Sequence, residues 1–219
     1  MTSSSPVPGS SAVADDPVGA DATIASVTTP RNSSRSRRPI TDIALIAVFA
    51  ALIAACSVIA IPISAVPITL QTFAVLLSGA VLGASRGFFA VLLYLAIGAI
   101  GLPVFAGGSA GLAPFAGPTV GYLLSFPLAA LLTGLILHSL PRRSIAGSTA
   151  SALVAALSAT LLITYPLGIA GMAWRASLSL GEAFAVNLVF VPFDLAKIML
   201  VAIVATSVHR AFPALLPPR

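Results

Sequence analysis

The chain has 219 residues, of which 58% are hydrophobic and only 8% charged, and its mean hydropathy is +1.07. Soluble globular chains carry about 25% charged residues, so this composition excludes a water-soluble domain of this size and defines a polytopic membrane protein. A net charge of +5 would point a soluble chain toward nucleic acid, but here the basic residues flank apolar runs, and membrane topology accounts for them.

Residues 1–38 are rich in Ser, Pro, Ala, Asp and Arg and lack an apolar run able to build a core. They are expected to form a disordered cytoplasmic tail. The membrane domain follows over 39–210. Its first span is expected at about Ile43–Ile61, closed by Pro62 and Pro67. This span holds the one cysteine, Cys56, so no internal disulfide forms. IAAC before it matches a lipoprotein box and Arg37-Arg38 resemble a twin-arginine signal, but apolar sequence and further spans follow. The reading preferred is an uncleaved first span with a positive-inside flank. Small residues recur at four-residue spacing, Ala47, Ala51 and Ala55. Such a stripe lets helices approach closely, within the chain or against another membrane subunit.

The second span is expected at about Ile68–Ala84 and the third at about Gly87–Ile100, joined by Ser85-Arg86. Both are short against the roughly 20 residues that a bilayer requires. The stretch 101–121 is too rich in Gly and Pro for a helix and too apolar to hang in water. It is expected to fold as a cap over the mouth of the bundle, since irregular backbone at membrane depth is buried in protein or lines a cavity. GGSAG at 107–111 fits the nucleophile-elbow pattern, but no strand precedes it. His138 and His209 fall near the opposite face, about 30 Å of hydrocarbon away, so hydrolase chemistry is excluded. The fourth span is expected at about Tyr122–His138, the fifth at about Gly147–Ala170 and the sixth at about Ala183–Val208, before a short cytoplasmic tail over 211–219. The fold expected is therefore an all-α integral membrane protein of six transmembrane helices with both termini cytoplasmic, multi-pass in the cell membrane.

Charge supports that orientation. Arg31, Arg35, Arg37, Arg38, Arg86, Arg142, Arg143, Arg210 and Arg219 fall inside, whereas Arg175 alone falls outside. The remaining cation, Lys197, lies within the last span, three residues after Asp194. Either charge alone at mid-membrane costs roughly 2.5–3.5 kcal/mol on insertion scales. Three-residue spacing puts both on one helix face. Asp194 sits about 11 residues below the outer end of its span, roughly 16 Å deep. Pro192 removes a helix hydrogen bond beside the pair and frees the Leu188 carbonyl. The pair is read as a buried polar site, with simple mutual pairing at a packing kink as the plainer alternative. No His, Cys or carboxylate cluster suggests a metal, and no cofactor is expected.

PITLQTFAVLLSGAVLGASRG, then YLAIGAIGLPVFAGG, GPTVGYLLSFPLAALLTG and FVPFDLAKIML, in that order over about 40–208, resemble the BioY family. The resemblance implies the substrate-binding S component of a biotin transporter of the energy-coupling factor type. It also implies six helices, biotin bound from outside, a transmembrane coupling protein and two cytoplasmic ATPase subunits as partners. This chain has no P-loop, so ATP hydrolysis would belong to those partners. Val120 and Phe193 stand where the family usually has glycine, and both are expected to add bulk beside the site.

Biotin offers two ureido N–H donors, one carbonyl, an apolar thioether ring and a carboxylate tail. Asp194 would accept from a ureido N–H and Lys197 would donate to the ureido oxygen; the opposite pose, with Lys197 on the carboxylate, stands beside it. Phe105, Tyr122, Trp174 and Phe190 are candidates to cover the rings. The amides of Gly107 and Gly108, and the outer cation Arg175, are candidates for the tail. The main rival is a proton- or ion-coupled secondary transporter with Asp194 as relay. A membrane-embedded enzyme lacks a catalytic cluster, and a pure scaffold leaves the charge pair unexplained.

Overall fold

The computed structural model describes residues 38–63, 66–141 and 144–212. The expected tails, apart from Arg38, Ala211 and Phe212, and Arg142 and Arg143 lie outside the described residues.

Helix α1 runs Arg38–Val58. It stops short of the expected Ile61 because Pro62 forces extended backbone on the residue before it. Ala60–Ile61 (β1) and Ile68–Thr69 (β2) instead pair antiparallel, Ala60 opposite Thr69 and Ile61 opposite Ile68. That pairing also delays the second helix, so α2 is Gln71–Leu82. Helix α3 is Ala84–Ala99. Ser85 and Arg86, expected to be the connection, therefore lie in its first turn. The reversal is made at Gly83, whose φ of 85° favours glycine. Arg86 Nε pairs with Asp42 Oδ1 at 3.0 Å, tying the start of α3 to the start of α1.

Between α3 and α5 (Val120–Ser139) the Gly/Pro-rich stretch is mostly irregular. It holds a 3-10 turn at Ala106–Gly108 and one short α-turn, α4, at Ala113–Ala116. The expectation of no helix is corrected at α4, where Pro114 sits in the first turn and needs no N–H partner.

Helix α5 is the centre of the bundle and packs on α2, α3, α6 (Ile145–Ala159) and α7 (Tyr165–Ala176). Helix α1 packs mainly on α3 and leaves most of its surface uncovered. Between α6 and α7 the chain stays helical through a π turn, Thr160–Thr164. The segment 171–176, expected in a loop, is the last part of α7, and the helix ends only where Ser177 turns left-handed. Ser179 then caps α8 (Leu180–Leu188) in a reciprocal capping box with Glu182. The Ser179 hydroxyl and its backbone N–H both donate to the Glu182 carboxylate, at 2.7 and 2.8 Å.

The expected single last span is two helices. Helix α8 ends at Leu188, and α9 (Val191–Ala211) starts after a break at Val189 and Phe190. Pro192 explains the break, because it has no N–H for the Leu188 carbonyl and is well placed in a first helical turn. Four helical segments among the described residues, Pro39–Val58, Val120–Ser139, Gly147–Ala176 and Val191–Ala211, are long and apolar enough to cross a membrane; α2 and α3 are apolar but shorter.

Candidate binding site

The break between α8 and α9 places Asp194 and Lys197 in the first two turns of α9, facing α2. They line a cavity of about 290 Å³, near the lower end of the roughly 300–1,000 Å³ common for small-molecule sites. Its other walls come from β2 and the start of α2 (Ile68, Gln71, Thr72), the loop (Phe105, Ser109, Pro114) and α5 (Tyr122, Phe126), with Thr164 and Phe190 completing it. Most of the lining is apolar, and the polar groups converge at the α9 end.

Lys197 Nζ lies 3.0 Å from Asp194 Oδ1, and both side chains are more than nine-tenths buried. Thr72 sits between them. Its hydroxyl donates to Asp194 Oδ1 at 3.3 Å and accepts from Lys197 Nζ at 3.2 Å. The other carboxylate oxygen, Oδ2, accepts from the Tyr165 hydroxyl at 3.1 Å. The pair is thus mutually neutralised, as the plainer reading had it, and it also faces a cavity. Nearby, the Tyr122 hydroxyl donates to Asn187 Oδ1 at 2.8 Å, and Gln71 Nε2 donates to the Tyr94 hydroxyl.

The loop is held down over the cavity by aromatic packing. Phe105 is buried in edge-on contact with both Tyr94 and Phe115, with ring centroids 5.5 Å apart in each case. The Ser57 hydroxyl donates to the Val104 carbonyl, and Gly111 N–H donates to the Gly98 carbonyl at 2.8 Å. Gly98 is the seat of the Phe105 ring, which occupies the space where a Cβ would stand. Gly98→Ala is therefore expected to push Phe105 off α3, loosen the loop and weaken ligand binding about tenfold, read as a faster off-rate. An unchanged off-rate would mean that the ring does not hold the loop shut.

Of the residues singled out from sequence, Asp194, Lys197, Phe105, Tyr122 and Phe190 come together around this cavity. Gly107, Gly108, Trp174 and Arg175 are absent from its lining. Both glycines take up the 3-10 turn beside Ala106. Arg175 lies 4.7 Å over the exposed Trp174 ring, because continuation of α7 carries both residues onto an outer face. Val120 and Phe193 also lie off the cavity. Val120 is buried against Gly171, and Phe193 points into a shallow groove with Ile59, Ile61 and Leu200. The expected bulk beside the site is corrected for Val120, which fills a helix crossing; Phe193 is absent from the cavity lining but shares its groove with Ile68, Thr69 and Lys197, which do line the cavity. Ser109 of the elbow-like motif donates to the Ala106 carbonyl. Among the described residues no cluster of His, Cys, Asp or Glu could hold a metal. Sequence reasoning missed Thr72, Tyr165, Gln71 and Asn187. The available signal was polar residues within apolar runs, together with Pro166 inside the fifth span.

Fold and cavity define a polytopic membrane protein that can hold a small amphipathic solute between its helices. The chain belongs to the BioY family, whose model matches residues 27–214. It is 44% identical over 193 residues to the biotin transporter BioY of Rhodobacter capsulatus, covering 81% of this chain and 98% of that protein. It is 40% identical over 164 residues to the biotin transporter BioY of Thermotoga maritima, covering 74% and 92%. A crystal structure of the S component for biotin from an ECF-type ABC transporter is similar to it at a TM-score of 0.71 and 26% identity, covering 81% of this chain and 95% of that one.

Proposed function

We propose that this chain captures biotin and carries it across the cytoplasmic membrane as the S component of an ATP-driven ECF transporter. The observation that carries this reading is the residual hydrogen-bonding capacity of the buried pair. A carboxylate has about four acceptor sites and an ammonium three donors. Asp194 accepts from Lys197, Thr72 and Tyr165, and Lys197 donates to Asp194 and Thr72. One charged acceptor site, on Asp194 Oδ2, and one charged donor, on Lys197 Nζ, remain on two residues that line the cavity. A ureido group carries the complementary pattern, an N–H beside a C=O. Phe105, Tyr122 and Phe190 would bound the apolar ring system, and the carboxylate tail would extend toward the loop.

The membrane arrangement proposed with it has six spans: α1, α2, α3, α5, the α6–π–α7 helix, and α8 with α9. Both termini are cytoplasmic. Support comes from the arginine distribution and from the Asp42–Arg86 pair, which puts the starts of α1 and α3 at one end of the bundle. Partners would be a transmembrane coupling protein and two ATPase subunits, which would hydrolyse the ATP. Ala47, Ala51 and Ala55 are exposed along α1 and form the docking stripe in this reading. Ala51→Leu is expected to leave biotin binding unchanged and to reduce ATP-driven uptake at least tenfold; unchanged uptake would move the docking surface elsewhere.

The deciding experiment is equilibrium biotin binding to the purified chain in detergent, without partners, beside Asp194→Asn and Lys197→Ala. Tight binding by the wild type that both substitutions weaken is the expected result. A folded wild type that binds no biotin overturns the proposal.

A further inference from the structure

The cavity does not include Tyr165, yet Tyr165 makes the one contact described to Asp194 Oδ2. It reaches the carboxylate from the side away from Lys197 and Thr72, which both meet Oδ1. The helix carrying it is irregular at that point. Through Thr160–Thr164 the backbone makes a π turn, and Tyr165 N–H donates to the Thr160 carbonyl five residues back. Pro166 comes next and gives a local cause, because its ring clashes with the carbonyl four residues back and a wider turn relieves that clash. The turn has a consequence for side-chain direction. It stacks Tyr165 above Thr160, which is buried. A continuous α-helix advances about 100° per residue. Were the same residues wound as a regular α-helix, Thr164 would take that stacked position and Tyr165 would be carried on round the helix, away from α9. The outer side of the turn, Leu161 and Leu162, is exposed and makes no contribution to the core.

We infer that the π turn is a register device, and that Tyr165 is a positioning residue that holds the Asp194 carboxylate in one rotamer with its free acceptor site toward the cavity. The inference rests on the proposed biotin reading and deepens it. Oδ1 alone, held by Lys197 and Thr72, would leave the carboxylate plane free to turn about its Cβ–Cγ bond. The hydroxyl on Oδ2 removes that freedom. A ligand N–H then meets an acceptor already oriented, and less ordering is required on binding. π turns placed at functional sites are a recurring use of this irregularity.

The test has two readouts on the full chain in detergent. The first is biotin affinity of wild type, Tyr165→Phe and a variant with Leu162 deleted, which makes the turn α-helical and leaves Tyr165 stacked above Thr160, now four residues on. Tyr165→Phe keeps the ring and is expected to weaken binding roughly tenfold, the scale of one hydrogen bond to a charged group. The Leu162 deletion keeps the direction of Tyr165 and is expected to bind as wild type does; lost binding would overturn the register role of the turn. The second is the infrared carboxylate stretch of ligand-free protein, with the Asp194 band assigned by its loss in Asp194→Asn. Tyr165→Phe is expected to shift that band at unchanged thermal stability, which a purely packing role would not do. Wild-type affinity retained by Tyr165→Phe, or an Asp194 band that does not move, overturns the inference while leaving the biotin reading intact. Failure of the wild type to bind biotin would count against that reading, and the infrared shift would still decide the role of Tyr165.

Discussion

Lys197→Ala should destabilise the ligand-free protein by about 3–5 kcal/mol, whereas the double substitution Asp194→Leu with Lys197→Met should leave it as heat-stable as wild type or more so. The single change should weaken biotin binding and the double change should abolish it. The single change strands a buried carboxylate with only the Thr72 and Tyr165 hydroxyls to satisfy it. The double change removes both charges and fills the space with apolar groups of similar length. Replacing a buried pair in this way is often neutral or stabilising, because two desolvation penalties vanish with the attraction. The comparison separates two reasons for keeping charges inside a membrane bundle. If the pair exists for stability, the double variant unfolds at lower temperature than wild type. If it exists for a ligand, the double variant is robust and does not bind. Thermal unfolding followed by tryptophan fluorescence, alongside biotin titration, reads both. A double variant that still binds biotin tightly would remove Asp194 and Lys197 from the site.

The long apolar helices were legible because apolar runs of membrane length broken by Pro and Gly are a coarse, strong signal, and the positions of α1 and α5 follow from it. The pair at 194 and 197 was legible for the same reason in reverse, since charges stand out in such a background. What the sequence concealed depends on backbone irregularity. The expected last span reads as one apolar run, and only packing around Pro192 decides that it breaks into α8 and α9 rather than bending. Tyr165 was missed as a site residue because a regular helix gives it another direction, and the π turn that redirects it leaves no periodic trace beyond the neighbouring Pro166. Trp174 and Arg175 were placed at the ligand because the segment was read as a loop. Once α7 runs on to Ala176, helix geometry turns them outward. Gly107 and Gly108 were given amides for the ligand on composition alone, and their turn uses them to close the loop on itself, with Gly108 N–H donating to the Phe105 carbonyl at 2.9 Å.

Gly121→Leu should cost at least tenfold in biotin affinity and about 1–3 kcal/mol in stability, although Gly121 is not among the cavity-lining residues. Gly121 on α5 meets α7 where the two backbones nearly touch. A Cβ there would collide with the Leu167 carbonyl oxygen and come within 2.9 Å of the Gly171 Cα. Glycine on both sides of a membrane helix crossing permits that approach. The crossing serves as a common reference for the site. Its neighbour Tyr122 seats its ring where a Cβ of Gly168 would stand, lines the cavity and bonds Asn187. Earlier on the same helix as Gly168 and Gly171 is Tyr165, against Asp194. Pushing α5 and α7 apart therefore moves the aromatic wall and the tyrosine arm in opposite directions. The clash comes from Cβ itself, so Gly121→Ala should already produce most of the loss and larger side chains should add little. A loss that instead grows with side-chain volume from Ala to Val to Leu would locate the effect in occupied space beside the helices rather than in their backbone separation. Full affinity and full heat stability in Gly121→Leu would show that the crossing does not set the site.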